Sequence, residues 1–186
     1  MHQILILGPQ GCGKGTQAAL LAKKLSIPQL SMGQLLRETA KGMGPLADEI
    51  RAIQKAGNLV PDKIAIQVLD VRLKQPDTKQ GYILDGFPRN KEQFEAFEKY
   101  ATPSIVLVIE VPPEVSLPRL MKRAEQEHRN DDTPEIIQKR LKIYEEDTRP
   151  MIRNYEDRGL VRFVDGVGSV EEVADRINQV FGIENV

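Results

Sequence analysis

The sequence predicts an α/β domain built on a parallel sheet, and three observations predict it. Short apolar runs, too brief for helices, recur along the chain. Longer polar stretches with helical spacing separate them, and a glycine-rich loop joins the first run to the first helical stretch. Strands alternating with helices in this way make βαβ units. A length of 186 residues suits one domain, 1–186, with short insertions and a core that needs no covalent staples.

The first run is Gln3-Ile4-Leu5-Ile6-Leu7, which fits a strand covered on both faces. Similar runs follow at 81–84, at 104–109 and, more weakly, at 160–164. Between them, Leu20, Leu21 and Leu25 mark a helix after the first strand. Ile64, Val68 and Val71 share one helical face, and Ile136, Ile137, Leu141, Tyr144 and Ile152 mark a longer helix. Thr133-Pro134 supplies a cap followed by proline at the first helical position. Ser169-Val170-Glu171-Glu172 reads as a capping box that opens the last helix. Two stretches break the alternation. Residues 31–60 hold two short helical patterns split by Gly42-Met43-Gly44-Pro45, with no strand signal, and residues 125–132 are wholly polar. Excursions of this kind are where mobile covers and binding surfaces tend to lie.

Composition excludes several function classes. With 26 basic against 27 acidic side chains the net charge is −1, and aromatics are 5%, so no broad footprint for nucleic acid is expected. No apolar run approaches the roughly 20 residues that span a bilayer, and MHQILILGPQ lacks the basic start and cleavage site of a signal peptide. A single cysteine, Cys12, rules out an intrachain disulfide and a multi-cysteine zinc site. The expectation is a soluble, cytoplasmic monomer without nucleic-acid or membrane partners.

The chemistry sits first in Gly8-Pro9-Gln10-Gly11-Cys12-Gly13-Lys14-Gly15-Thr16, placed between the first strand and a helix. Glycines so spaced let backbone N–H groups wrap a phosphate chain, and the helix adds its positive end. Lys14 can reach the β- and γ-phosphates as a point charge. Two glycines and a lysine at this spacing arise by chance in roughly one such chain in twenty. The flanking strand and helix and two further glycines make chance a poor account. Gly15 stands where a magnesium-binding hydroxyl is usual, with Thr16 one place later.

Residues 8–17 resemble the phosphate loop of adenylate kinases and related nucleoside monophosphate kinases, a family in which glycine and threonine follow the lysine. The resemblance runs on through Leu30-Ser31-Met32-Gly33-Gln34-Leu35-Leu36-Arg37, Asn58-Leu59-Val60-Pro61 and Asp85-Gly86-Phe87-Pro88-Arg89. It continues in the arginines of 119–123, 128–132 and 138–141, and in Val164-Asp165-Gly166-Val167-Gly168. Gln10, Met32 and Gln34 depart from the proline, threonine and aspartate more usual in the family. The resemblance implies a P-loop NTPase-like parallel five-stranded sheet flanked by helices. A helical monophosphate-binding insertion over 31–60 and a short lid over 122–133 would interrupt it. It implies transfer of a phosphoryl group from MgATP to AMP, giving two ADP.

The same resemblance implies the roles. Lys14 and the loop at Gly11, Cys12, Gly13, Gly15 and Thr16 would hold the ATP phosphates. Arg119 would stack on the ATP base, and Gly168 would touch it through its backbone. Arg37 and Arg89 would bind the AMP phosphate and Gln93 would read its adenine. Met32, Asn58, Leu59, Val60, Gly86, Phe87 and Pro88 would line that pocket. Arg123, Arg129 and Arg140 would surround the transferring group, and Asp85 would orient waters on Mg2+, the implied cofactor. Taken alone, these arginines read as solvated helix faces, although Arg119 and Arg123 share one face. Phosphoryl transfer asks for positioning and charge neutralisation. It needs no general base, which suits a chain with only two histidines, His2 and His128, neither in an obvious catalytic setting. A UMP/CMP kinase and a non-catalytic nucleotide sensor of the same fold are the alternatives. Gln93 favours AMP, because an amide pairs bidentately with an adenine edge.

Overall fold

The structure is a computed structural model that describes residues 2–55, 60–127 and 133–183, with backbone alone at 54, 55 and 123–127. Five strands are found among them: β1 (His2–Leu7), β2 (Gln29–Ser31), β3 (Gly81–Asp85), β4 (Ile105–Glu110) and β5 (Val161–Asp165). Every pairing is parallel, in the order β2-β3-β1-β4-β5. Four of these are the runs expected from sequence. The fifth, β2, carries one apolar residue in three, Leu30, and so leaves no run to read.

The strand alternation divides the core into two. Leu5, Leu7, Leu84, Val106 and Val108 point to one face. There they meet α4 (Asp62–Leu73), α5 (Lys91–Phe97) and α8 (Arg149–Glu156) through Leu69, Phe97 and Tyr155. Ile4, Ile6, Ile83, Leu107 and Ile109 point to the other, against α1 (Lys14–Leu25) and α9 (Val170–Phe181) through Leu21, Val173 and Ile177. Burial on both faces is why the strands read as continuous apolar runs.

Two helices bury faces that their marker residues describe only in part. The buried side of α1 is Gln17, Ala18, Leu21 and Ala22, while Leu20 is exposed. Gln17 tolerates burial because its Nε2 donates to Val170 O at 2.9 Å. On α4 the buried side is Ile64, Ala65, Val68 and Leu69, and Val71 faces out. In 31–60 the two helical patterns are α2 (Met32–Lys41) and α3 (Pro45–Lys55), parted at Gly42 and Gly44. α6 (Pro113–Glu127) follows β4, so helix extends into the polar stretch expected as an excursion.

The long helix expected from Ile136 onward is present with a distortion. α7 (Pro134–Ile143) passes through a π turn at Tyr144–Thr148 directly into α8. Pro150 has no N–H for the carbonyl four residues back, and widening the preceding turn relieves its ring. Both expected caps form: Thr133 accepts from Ile136 N–H, and Ser169 and Glu172 make the reciprocal capping box. Among the described residues no helix is long and apolar enough to cross a membrane.

Leu84 is fully buried at the centre of β3. Leu84→Ala is expected to lower unfolding free energy by about 3 kcal/mol through lost burial and the cavity left behind, read from urea denaturation curves.

Candidate active site

β1 lies at the centre of the sheet, with chain connections leaving to opposite sides, and ligands bind beyond strand ends at such points. The glycine loop occupies that point. A Cβ on Gly8 would stand 2.3 Å from Ile109 O on β4, and one on Gly11 would stand 2.6 Å from Ser116 O on α6. Both glycines have positive φ, 144° and 81°. No other residue lets the loop lie this close to its neighbours. Lys14 Nζ donates to Gly8 O at 2.8 Å and Pro9 O at 2.7 Å, and sits 3.6 Å from Cys12 Sγ. Cys12 is buried as a loop filler. Burial, and then the neighbouring Cys12 thiol, push the Tyr144 phenol above its usual range, so it stays protonated beside the loop.

A cleft of about 1280 Å3 opens in front of this loop. Lys14, Arg37, Arg89, Arg119, Lys122, Lys139 and Arg140 line it, against the carboxylates of Asp62, Asp85 and Asp147. Among the described residues, seven cations and three anions line the cleft of a chain of net charge −1, so charge is sorted into one place. Sorting of this kind raises the local concentration of an anionic ligand.

Asp85 ends β3, where its carboxylate faces the start of α1. A Cβ on Gly15 would stand 3.5 Å from Asp85 Oδ2, ordinary contact distance, so the carboxylate lies directly against the first turn of α1. The next residues turn back toward the sheet, and Arg89 Nε donates to Gly86 O at 2.7 Å. Arg89 lies open to the cleft yet is ringed by protein. That desolvation, and then the cation of Arg140, lower its pKa, while Asp85 and Asp62 oppose the drop. A guanidinium keeps its charge under such pressure. Arg140, on α7, lines the same cleft as Arg89. Thr148, in the π turn, donates its hydroxyl to Arg89 O at 2.6 Å and pins the arginine backbone.

On the far side Arg119 reaches from α6 to the loop after β5, donating to Gly166 O and Gly168 O, each at 3.2 Å. Arg176 donates to Asp165 O at 2.8 Å and Val167 O at 2.6 Å, bracing the same loop from α9. Met32, buried at the start of α2, lines the cleft with Arg37, Val60, Gly86, Phe87, Pro88 and Gln93. Gln34 turns along its own helix to Glu38 Oε1 at 2.7 Å. Gln10 lines the cleft with its Oε1 buried.

The structure thus gathers Lys14, Arg37, Asp85, Arg89, Gln93, Arg119, Arg140 and Gly168 around one cleft. Arg123 lies on α6, and its side chain is outside the described part. Asn58, Leu59, Arg129 and the polar residues 128–132 lie outside the described residues. Sequence reading missed Asp62, Thr148, Lys122 and Lys139. The acid that follows Val60-Pro61 could be read only as a helix-opening charge.

Comparison with known proteins adds a second, independent line. A family model described as adenylate kinase matches residues 6–160. The adenylate kinase of Bifidobacterium longum (strain NCC 2705) is 44% identical over 180 residues, covering 94% of this chain and 97% of that protein. That of Xylella fastidiosa (strain M12) is 42% identical over 185 residues, covering 97% and 99%. That of Micrococcus luteus is 41% identical over 184 residues, covering 96% and 90%.

Gly11→Ala, forced to positive φ against Ser116 O, is expected to weaken binding of a nucleoside triphosphate by about tenfold or more. Strain of this kind costs about 1–3 kcal/mol, and isothermal calorimetry reads the loss.

Proposed function

The chain belongs to the adenylate kinase family, enzymes of phosphoryl transfer, and we propose that its cleft moves the terminal phosphoryl group of MgATP to AMP, giving two ADP. The observation that carries the reading is the union of phosphate loop, Arg89 and Arg140 in one cation-lined cleft. Each nucleotide is a polyanion, and bringing the two together is opposed by Coulomb repulsion. Fixed guanidinium groups cancel that repulsion with planar, bidentate donors whose charge persists.

In this reading Lys14 and the amides of residues 11–16 hold the ATP phosphates, aided by the positive end of α1. Arg119 and Gly168 meet the ATP base. Arg37 and Arg89 grip the AMP phosphate, whose oxygen is already ionised near neutral pH. That oxygen attacks the γ-phosphorus as the bond to the bridging oxygen breaks, and ADP leaves. Arg140, with Arg123 and Arg129 from the short lid over 122–133, carries the charge spread over the equatorial oxygens. Closure of the lid and of the 31–60 insertion keeps out water, the competing acceptor.

The residues present also fit Mg2+. Asp85 is one carboxylate beside the loop, and among the described residues no cluster of three or more His, Cys, Asp or Glu could hold a metal. One carboxylate suits an ion that arrives on the nucleotide and keeps its waters. When bound, Mg2+ neutralises phosphate charge; Asp85 would orient its waters.

A coupled assay for ADP formation with AMP, UMP, CMP and GMP tests the substrate directly. AMP is expected to be the fastest acceptor, and faster turnover with UMP or CMP would move the assignment to the pyrimidine kinases. Lys14→Met is expected to cut kcat about a hundredfold to a thousandfold, the scale of one lost transition-state donor. Arg89→Ala should raise the KM for AMP while leaving ATP affinity within about twofold, the pattern of a contact made by one ligand only.

A further inference from the structure

Asp62 opens α4 and meets two side-chain amides from the connection that follows β3 and from α5. Its Oδ2 accepts from Asn90 Nδ2 at 2.6 Å, and its Oδ1 accepts from Gln93 Nε2. The far ends of both amides are committed too. Asn90 Oδ1 caps α5 by accepting the Gln93 backbone N–H at 2.8 Å. Gln93 Oε1 accepts the Arg89 backbone N–H at 2.8 Å. A carboxylate only accepts and a backbone N–H only donates. Neither amide can therefore turn over without setting oxygen against oxygen and hydrogen against hydrogen. A glutamine amide without such partners exchanges its two ends by rotation about its last bond.

We propose that Asp62 is a positioning residue that fixes the donor and acceptor ends of the Gln93 amide, and thereby selects a 6-aminopurine over a 6-oxopurine at the acceptor site. The inference rests on the reading of Gln93 as the group that meets the acceptor base. Gln93 is 6% exposed and lines the cleft with Met32 and Val60. After its two fixed bonds, one Oε1 lone pair and one Nε2 hydrogen remain. Adenine offers a donor at its 6-amino group beside an acceptor at N1. Hypoxanthine offers the reverse, an acceptor at O6 beside a donor at N1. An amide able to turn over pairs with both bases. An amide held one way pairs with adenine and leaves like facing like against hypoxanthine, at the cost of unmade buried hydrogen bonds.

Asp62→Asn separates these cases. The substituted side chain has one oxygen for two amide N–H groups. Asn90 keeps the α5 cap and Gln93 keeps the Arg89 N–H, but the charged acceptor is replaced by one neutral oxygen that both amides contest, so the hold on the Gln93 amide is weakened at its Nε2 end. Asp62→Ala removes the acceptor altogether and serves as the second variant should the first fold poorly, with melting curves taken for both. The readout is kcat/KM with AMP and with inosine monophosphate, with the KM for ATP as control. The AMP-to-inosine-monophosphate ratio is expected to fall about tenfold in either variant, the scale of one charged hydrogen bond, with the KM for ATP unchanged. A ratio equal to that of the unsubstituted chain, even at a reduced overall rate, would overturn the proposal while leaving the transfer reading intact. Absence of AMP turnover by the unsubstituted chain would instead sink the transfer reading, and this inference with it.

Discussion

Repulsion between two phosphate chains is the constraint on which this molecule is organised. Near a protein surface a pair of unit charges 4 Å apart interacts by about 4 kcal/mol, and two nucleotides bring several charges each. The chain as a whole is almost neutral, yet its cleft concentrates Lys14, Arg37, Arg89, Arg119 and Arg140. The glycine loop adds backbone dipoles that need no counter-ion. Close approach at Gly8 and Gly11 is what places those dipoles at the sheet's central point, between β4 and α6.

The fold ties three of these cations, Lys14, Arg89 and Arg119, to different parts of the chain. Lys14 rests on the carbonyls of Gly8 and Pro9. Arg89 is held by Gly86 and by the Thr148 hydroxyl. Arg119 spans from α6 to the loop after β5. Backbone carbonyls accept from the side chains of Lys14, Arg89 and Arg119, which orders these three charges at the cleft. Arg89 and Arg140 line the same cleft, and the cation of Arg140 bears on Arg89. An anion bound beside both offsets that charge.

Much of this was legible in the sequence wherever a signal was contiguous. The run at β1, the glycine loop and Asp85-Gly86-Phe87-Pro88-Arg89 each lie within a few residues, so local pattern sufficed. β2 was not legible because it is three residues long and borrows its order from β3. Leu20 and Val71 marked their helices in the sequence but lie exposed, because Ala18, Ala22 and Ala65 share the packing faces and small residues leave little apolar signal. The π turn needed the consequence of Pro150 to be followed into the preceding turn. Asp62 was invisible for a different reason: its partners Asn90 and Gln93 are 28 and 31 residues away, and only the folded chain brings them together.

In the proposed reaction the phosphoryl group passes from one nucleotide to the other inside a cationic cleft and not to water. Phosphorus NMR of ATP, AMP and magnesium incubated with the chain tests it most directly. Direct transfer gives loss of ATP and AMP in equal amounts, two ADP for each ATP consumed, and no signal from inorganic phosphate. Growth of inorganic phosphate with AMP untouched, or spectra that never change, would contradict it.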